Sequence, residues 1–233
     1  NLPGSGTDFS AVALGDYIYV LMPNHSVHRL KYSDREATWE RMNNMMYNHG
    51  EYPPVAVLSG NLYVVGSFGN YSKSVEMFEP SSNKWEKVKD KNLNSRYSTA
   101  LGARGCIYSI GGVVTRCYTN KVERFDPTSS TWSFVASMNG AKDDVAAVEN
   151  EGKIYVLGML EFVAKNVDGK HHLSTVERYD ISTNVWSTVT PMLTKRSWFS
   201  AFVIDSDIYA VGGRNSSRKQ EKFDFKKKSM GDD

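Results

Sequence analysis

Ile107-Tyr108-Ser109-Ile110-Gly111-Gly112, then Val122-Glu123-Arg124-Phe125-Asp126-Pro127, then Trp132, is one version of a passage that this 233-residue chain repeats. An aliphatic residue precedes Tyr five times, at Ile18-Tyr19, Leu62-Tyr63, Ile107-Tyr108, Ile154-Tyr155 and Ile208-Tyr209. One Trp follows each of the first four pairs: Trp39, Trp85, Trp132 and Trp186. The Tyr-to-Tyr steps are 44, 45, 47 and 54 residues, and the Trp-to-Trp steps are 46, 47 and 54. A period of about 40 to 50 residues with fixed aromatic landmarks means one supersecondary unit copied in tandem.

Working outward, each unit has the same internal order. A short apolar run comes first, such as Ala11-Val12-Ala13-Leu14, Val55-Ala56-Val57-Leu58 or Val145-Ala146-Ala147-Val148. A turn such as Ser59-Gly60-Asn61 leads into the aliphatic-Tyr run, and the two runs read as an antiparallel hairpin. A third run alternates apolar and polar residues, as in Val75-Glu76-Met77-Phe78 and Val176-Glu177-Arg178-Tyr179. The Trp then opens a fourth, more polar strand. No stretch carries a helical period, so the fold class is all-β. Four-stranded antiparallel sheets of this kind bury their apolar faces by stacking on their neighbours as the blades of a β-propeller. The small first run is expected to be buried on both faces. The repeated Tyr and Trp are expected to be buried between blades, at roughly 150 to 250 Å² each.

The units span approximately 8–43, 52–90, 97–138, 144–192 and 198–225, with a lead-in over 1–7 and a basic, polar tail over 226–233. The fifth unit ends after its third strand and has no Trp. Four full units plus three strands therefore read as an incomplete propeller, and the start at Asn1 reads as a fragment boundary.

Composition narrows the function. A formal net charge of +2 lacks the dense basic face that nucleic acid requires, and Lys226-Lys227-Lys228 reads as a solvated tail. No apolar run approaches 18 residues and no signal peptide is visible, so no membrane partner is expected. Cys106 and Cys117 flank one strand, too far apart for a disulfide, which favours a reducing, cytoplasmic setting. Three sequons, beginning at Asn24, Asn70 and Asn215, carry little weight in Asn- and Ser-rich loops.

The run of Ile107-Tyr108 to Gly111-Gly112, Val122 to Pro127 and Trp132 resembles the kelch repeat. The fifth unit shares it in Ile208-Tyr209-Ala210-Val211-Gly212-Gly213 and Glu221-Lys222-Phe223-Asp224. The similarity covers about residues 8 to 225. The double Gly suits a chain leaving its strand with φ > 0 or under close backbone approach. Units one, two and four depart from it, with Leu21-Met22, Gly66-Ser67 and Gly158-Met159. The resemblance is closest to the kelch domain of BTB-kelch proteins, which implies a propeller, generally closed as a ring of six blades. It implies a substrate-recognition module of a cullin-RING ubiquitin ligase, reached through a BTB domain absent from this chain. An actin-associating, cytoskeletal kelch protein is the alternative.

Catalytic constellations are lacking: no Gly-x-Ser-x-Gly, no phosphate-cradling Gly loop and no Cys-x-x-Cys. Galactose oxidase-like copper enzymes share the architecture, but His25, His28 and His49 show no paired ligand pattern. Asp34 to Trp39 lacks the Gly of a sialidase Asp-box. His171-His172 reads as two surface histidines in a polar loop. Glu76, Glu123 and Glu177 recur at one repeat position, which signals a structural hydrogen bond to a neighbouring strand. No enzyme, cofactor or metal is expected.

Binding of a protein or peptide at one loop face is the expectation. Ten residues before each aliphatic-Tyr pair stand Asp8, Tyr52, Tyr97, Asp144 and Trp198. A scaffold position should repeat one residue type; this one varies, as a binding surface does on a fixed frame. Tyr and Trp anchor interfaces. Arg96, Lys142, Lys195 and Arg196 stand beside them to pair with a partner's carboxylates. The other loops add Phe68, Tyr71, Arg116, Arg214 with Asn215 and Arg218, and the long insert from Met159 to Leu173 that lengthens one period to 54.

Overall fold

The computed structural model describes residues 8–66, 69–143, 145–158, 160–161, 171–172, 174–213 and 221–223. Phe68, Asp144, Arg214, Asn215, Arg218, most of the Met159–Leu173 insert, the 1–7 lead-in and the 226–233 tail lie outside these residues. The described chain is all-β apart from one 3-10 turn, Gly69–Tyr71.

Among the described residues, five larger antiparallel sheets follow in chain order, beside two two-stranded ribbons. The first holds Ser10–Leu14, Tyr17–Leu21, Val27–Lys31 and Glu40–Met42, paired in that sequence. The second holds Val55–Leu58, Asn61–Val65, Val75–Glu79 and Lys84–Val88. The third holds Thr99–Ala103, Cys106–Ile110, Val122–Asp126 and Thr131–Phe134; the fourth Ala146–Asn150, Lys153–Leu157, Val176–Asp180 and Val185–Val189. The fifth has three described strands: Ser200–Ile204, Asp207–Val211 and Glu221–Phe223. Up-and-down order within each of these five sheets is the propeller unit that the repeat predicts. His171–His172, expected in a loop, instead pairs with Leu160–Glu161 as a short ribbon.

The landmarks fix the register. Tyr19, Tyr63, Tyr155 and Tyr209 stand opposite Val12, Ala56, Val148 and Phe202 on the first strands. Two-residue turns join these strands, and Ser59-Gly60 and Glu151-Gly152 take φ > 0 at both positions, as a tight hairpin requires. The second strand is the most buried of each of the first four sheets. The first strand alternates between half-buried and buried residues in sheet two, short of the two-sided burial expected of it. As an edge strand it has only one pairing neighbour.

The chain divides into two units, Asn1–Ser109 with Glu123–Ser133 and Ile110–Val122 with Phe134–Asp233, and each is described by itself. In the first, Tyr19, Leu21, Val27, Met42 and Met45 pack on Leu62, Val64 and Phe78 of the second sheet. A second cluster joins Ala56, Leu58, Tyr63 and Val65 to Ile107, Phe125 and Trp132. In the second unit, Val148, Tyr155, Leu157, Val176 and Met192 pack on Ile208 and Ala210.

Trp85, Trp132 and Trp186 pack on the aromatic residue of the third strand of their sheet. Ring centroids lie 4.9 Å apart for Trp85 and Phe78, 5.3 Å for Trp132 and Phe125, and 5.0 Å for Trp186 and Tyr179. Each indole N–H then donates to a carbonyl just past the preceding fourth strand. Trp85 reaches Asn43 at 2.9 Å, Trp132 reaches Lys89 at 2.8 Å and Trp186 reaches Ala136 at 2.8 Å. Each tie spans 42, 43 or 50 residues and so lands four residues past the preceding Trp. Trp132 and Trp186 are buried, as are Tyr19, Tyr63, Tyr108 and Tyr155. Trp39, Trp85 and Tyr209 are only half-buried, against the expectation of full burial. Cys106 and Cys117 are both free thiols, and burial raises the Cys106 thiol above its ordinary value.

Candidate functional site

The recurring glutamates organise one end of the sheets. Glu76, Glu123 and Glu177 are all buried, which a lone carboxylate would not tolerate. Each accepts two consecutive backbone N–H groups from the loop that approaches the first strand of its own sheet. Glu76 takes Met46 at 2.8 Å and Tyr47 at 3.3 Å; Glu123 takes Asn92 at 2.8 Å and Leu93 at 3.0 Å; Glu177 takes Asn139 at 2.7 Å and Gly140 at 3.3 Å. The partner is therefore an approach loop, and not the neighbouring strand that recurrence suggested.

A buried base completes two of these sites directly. His49 Nε2 lies 2.6 Å from Glu76 Oε1, and Lys142 Nζ lies 2.6 Å from Glu177 Oε1 as an ion pair without hydrogen-bond alignment. At the Glu123 site the cation is Lys91, whose amine donates to Ser95 Oγ at 2.6 Å and to the Ser95 carbonyl at 3.2 Å. Burial lowers the Lys91 ammonium to about 8, with the Glu123 charge opposing the shift. Ten residues after each Trp stand His49, Ser95, Lys142 and Arg196, so one repeat position hosts a base in three units and the Lys91 amine in the fourth.

This corrects one expectation. Arg196, read as a partner-binding residue, is 0% exposed, and its Nη1 donates to the Gly212 carbonyl at 2.8 Å. Lys142, read as its neighbour at the face, is buried as well. Both belong to the frame. The pairing of a recurrent Glu with a recurrent base ten residues past Trp was present in the sequence as a signal, and sequence reasoning took only the Glu.

The glycines show why the loops fit together here. Gly66, Gly111, Gly112, Gly158, Gly212 and Gly213 all have φ between 65° and 99°. A Cβ on Gly111 would sit 2.5 Å from the Lys142 carbonyl oxygen, and Gly112 N–H donates to that same oxygen at 2.7 Å. In the first unit Lys91 N–H bonds the Lys73 carbonyl, and Ser72 bonds Asn94. The loops after the second strands and the approach loops thus meet, as the repeat predicts.

On that frame stand the variable residues. Tyr52 and Tyr97 of the first unit have φ of 49° and 55°, and Trp198 of the second has φ of 56°. They are 53%, 42% and 51% exposed. A left-handed backbone at a bulky non-Gly residue is uncommon and costs on the order of 1 to 3 kcal/mol. Strained backbone of this kind occurs at ligand clamps. The Tyr52 hydroxyl donates to Asp8 Oδ1 at 2.5 Å, and its N–H to the Asp8 carbonyl at 3.0 Å, so two predicted residues are held together. Tyr71 is exposed and packs at 5.3 Å on Tyr47, a residue the sequence reading missed.

Arg116 occupies a two-residue turn between Val113–Val114 and Cys117–Tyr118, where Thr115 and Arg116 have φ of 48° and 70°. A β-branched Thr in that conformation is an outlier, and the turn displays Arg116 to solvent. Arg96 is half-buried beside Tyr97 in sequence, and Lys195 is exposed. A groove along the fourth strands, lined by Arg41, Asn43, Met46, Lys84 and Trp85, includes none of the predicted partner residues.

Among the described residues no group of three or more His, Cys, Asp or Glu side chains is placed to hold a metal ion. Among them too, no helix is long and apolar enough to cross a membrane.

Known proteins bear on this geometry. The chain is 28% identical over 244 aligned positions to Kelch-like protein 25 of Rattus norvegicus, covering 96% of this chain and 39% of that protein. It is 26% identical over 153 residues to Kelch repeat protein C2 of Vaccinia virus (strain Western Reserve), covering 66% of this chain and 28% of the relative. The chain thus spans well under half the length of these relatives. Among solved structures, YjhT matches with a TM-score of 0.69 at 13% identity, covering 95% of both chains, which speaks to the fold alone. Kelch repeats in relatives of this kind support a protein–protein interaction module. The model of the KLHDC2/KLHL20/DRC7 Kelch-repeats domain matches residues 10–213, and the chain belongs to this kelch-repeat family.

Proposed function

We propose that this chain is a non-enzymatic protein-recognition module. Its partner-binding loops are those bearing Tyr52, Tyr71, Arg96 and Tyr97 in the first unit and, separately, Arg116 and Trp198 in the second. The observation that carries the reading is the strained, exposed aromatic residue at one repeat position in three units. The frame is tied down by the buried Glu76 and Glu123 sites around Tyr52 and Tyr97 and by Arg196 beside Trp198, so the aromatic rings are presented with little ordering cost on binding. Phe68, Asp144, Arg214 and Asn215 extend the proposed face by their places in the repeat. The reading extends to the substrate-recognition role of a BTB-kelch adaptor of a cullin-RING ubiquitin ligase, working in the cytoplasm. The likeness to Kelch-like protein 25 along nearly the whole chain supports that extension.

The test is affinity capture with Tyr97→Asn/Trp198→Asn. Asn tolerates a left-handed backbone better than other non-Gly residues, so stability should shift by no more than about 1 kcal/mol in urea unfolding. Specific partners of the wild type should be lost from the folded variant. Their undiminished recovery would sink the reading.

A further inference from the structure

Seven residues past each Trp of the repeat stand Met46, Asn92, Asn139 and Leu193. The two asparagines act as straps. Asn92 Nδ2 donates to the Trp132 carbonyl at 3.1 Å and Asn139 Nδ2 to Thr188 Oγ1 at 3.3 Å, so each ties its loop to the fourth strand of the following sheet. Trp132 and Trp186 on those strands are each 8% exposed. Between sheets one and two the residue is Met46, which has no amide to donate. Asn43 ties that loop instead, its amide donating to the Asn83 carbonyl at 2.6 Å in the turn before the fourth strand. Met46 is left 51% exposed and Trp85 half-buried.

The opening beside them is the groove lined by Arg41, Asn43, Met46, Lys84, Trp85 and Glu86. Successive residues of a strand point to opposite faces. Lys84, Trp85 and Glu86 are successive and all line the groove, so it runs along the edge of Lys84–Val88 and not over one face. That strand pairs only with Val75–Glu79, which leaves its outer backbone N–H and C=O groups as a template for one more strand. In sheet three the Trp132 carbonyl is taken by Asn92; to the matching Trp85 carbonyl Met46 offers no donor.

Charge selects the occupant. Of the lining residues Arg41 and Lys84 are basic and Glu86 is acidic, a net positive charge. Arg41 and Lys84 are exposed, and among the described residues neither is in an ion pair. A second copy of the chain is the rival occupant, because Leu193, at the repeat position of Met46, is 93% exposed. Its neighbours are Pro191, Met192, Thr194 and Lys195, with no carboxylate for Arg41 or Lys84. We propose that the groove binds an extended, acidic segment of a partner protein, added as a strand along Lys84–Val88. One apolar side chain of that segment packs on Met46 and Trp85, and its carboxylates flank Arg41 and Lys84. None of the partner-binding loops proposed above lines the groove, so the inference stands apart from that reading.

A random peptide library displayed on phage tests it. Selecting on Tyr97→Asn/Trp198→Asn, which lacks the loop aromatics, keeps the two readings apart. The selected peptides should carry an apolar residue flanked by Asp or Glu and should bind the wild type equally well. Met46→Asn, which copies Asn92 and Asn139, should weaken them about tenfold. Lys84→Glu, at an exposed position, should weaken them several-fold at low salt and decides the matter should Met46→Asn not fold. Peptides that bind the folded variants undiminished, peptides without acidic flanks, or a selection that yields none would overturn the proposal. So would a dimer seen by sedimentation in the wild type and lost in Met46→Asn, which would seat a second copy in the groove.

Discussion

Lys91 illustrates how much a single residue can reveal about this repeat. Six residues past Trp, the other units carry Met45, Met138 and Met192, all buried in the core. Lys91 replaces that Met and extends its amine to Ser95, at the position where the other units place His49, Lys142 and Arg196. The unit keeps its buried charge by supplying it from a different residue. Desolvation lowers the folded-state ammonium from 10.5 to about 8. Between these values the unfolded chain binds the proton and the folded chain does not, so stability should rise with pH from about 8 toward 10.5. In Lys91→Met that slope should be absent. Urea unfolding at several pH values measures it, and an unchanged slope in the variant would show that Lys91 is not its source.

At the scale of elements, the double Gly separates two physical demands that the sequence motif merges. Gly111 needs both a left-handed backbone and empty space, because a Cβ there would press on the Lys142 carbonyl oxygen. Gly212 needs only the backbone, with nothing within 4 Å of its Cβ position. Gly111→Ala should therefore cost several kcal/mol, whereas Gly212→Ala should cost about 1 kcal/mol. Thermal or chemical unfolding of the two variants checks the ranking, and equal losses would refute the close-approach account. Gly66 and Gly158 abut the approach loops that carry Tyr97 and Trp198, so rigidity of the frame and display of those aromatics come from one set of contacts.

Over the whole molecule, the parts that were legible in sequence are those the repeat copies. Tyr and Trp spacing gave the number and order of the sheets, and Glu recurrence pointed to a structural site. The parts that stayed hidden depend on packing across loops. Arg196 and Lys142 look like surface charges in a turn-rich stretch, and only the facing carbonyl or carboxylate explains their burial. The left-handed backbone at Tyr52, Tyr97 and Trp198 has no residue-type signal, since aromatic side chains do not favour it. Trp39 and Trp85 repeat the pattern of Trp132 and Trp186 but are less covered, a difference set by what lies beside each sheet. In the fifth sheet Phe202 and Ile204 are 40% and 50% exposed where Ala56 and Leu58 of the second are buried beneath the third. A position in a repeat fixes which way a side chain points, and its neighbour fixes whether it is covered.

A protein partner is expected to touch the loop end of the sheets. The direct measurement is a hydrogen-exchange footprint of the chain with and without a captured protein partner. Protection should concentrate on the approach loops at Tyr52, Tyr97 and Trp198 and on the turn at Arg116. The opposite hairpin turns at Ser59-Gly60, Arg104-Gly105 and Glu151-Gly152 should be unaffected. Protection confined to those hairpin turns, or to the groove beside Trp85, would contradict it.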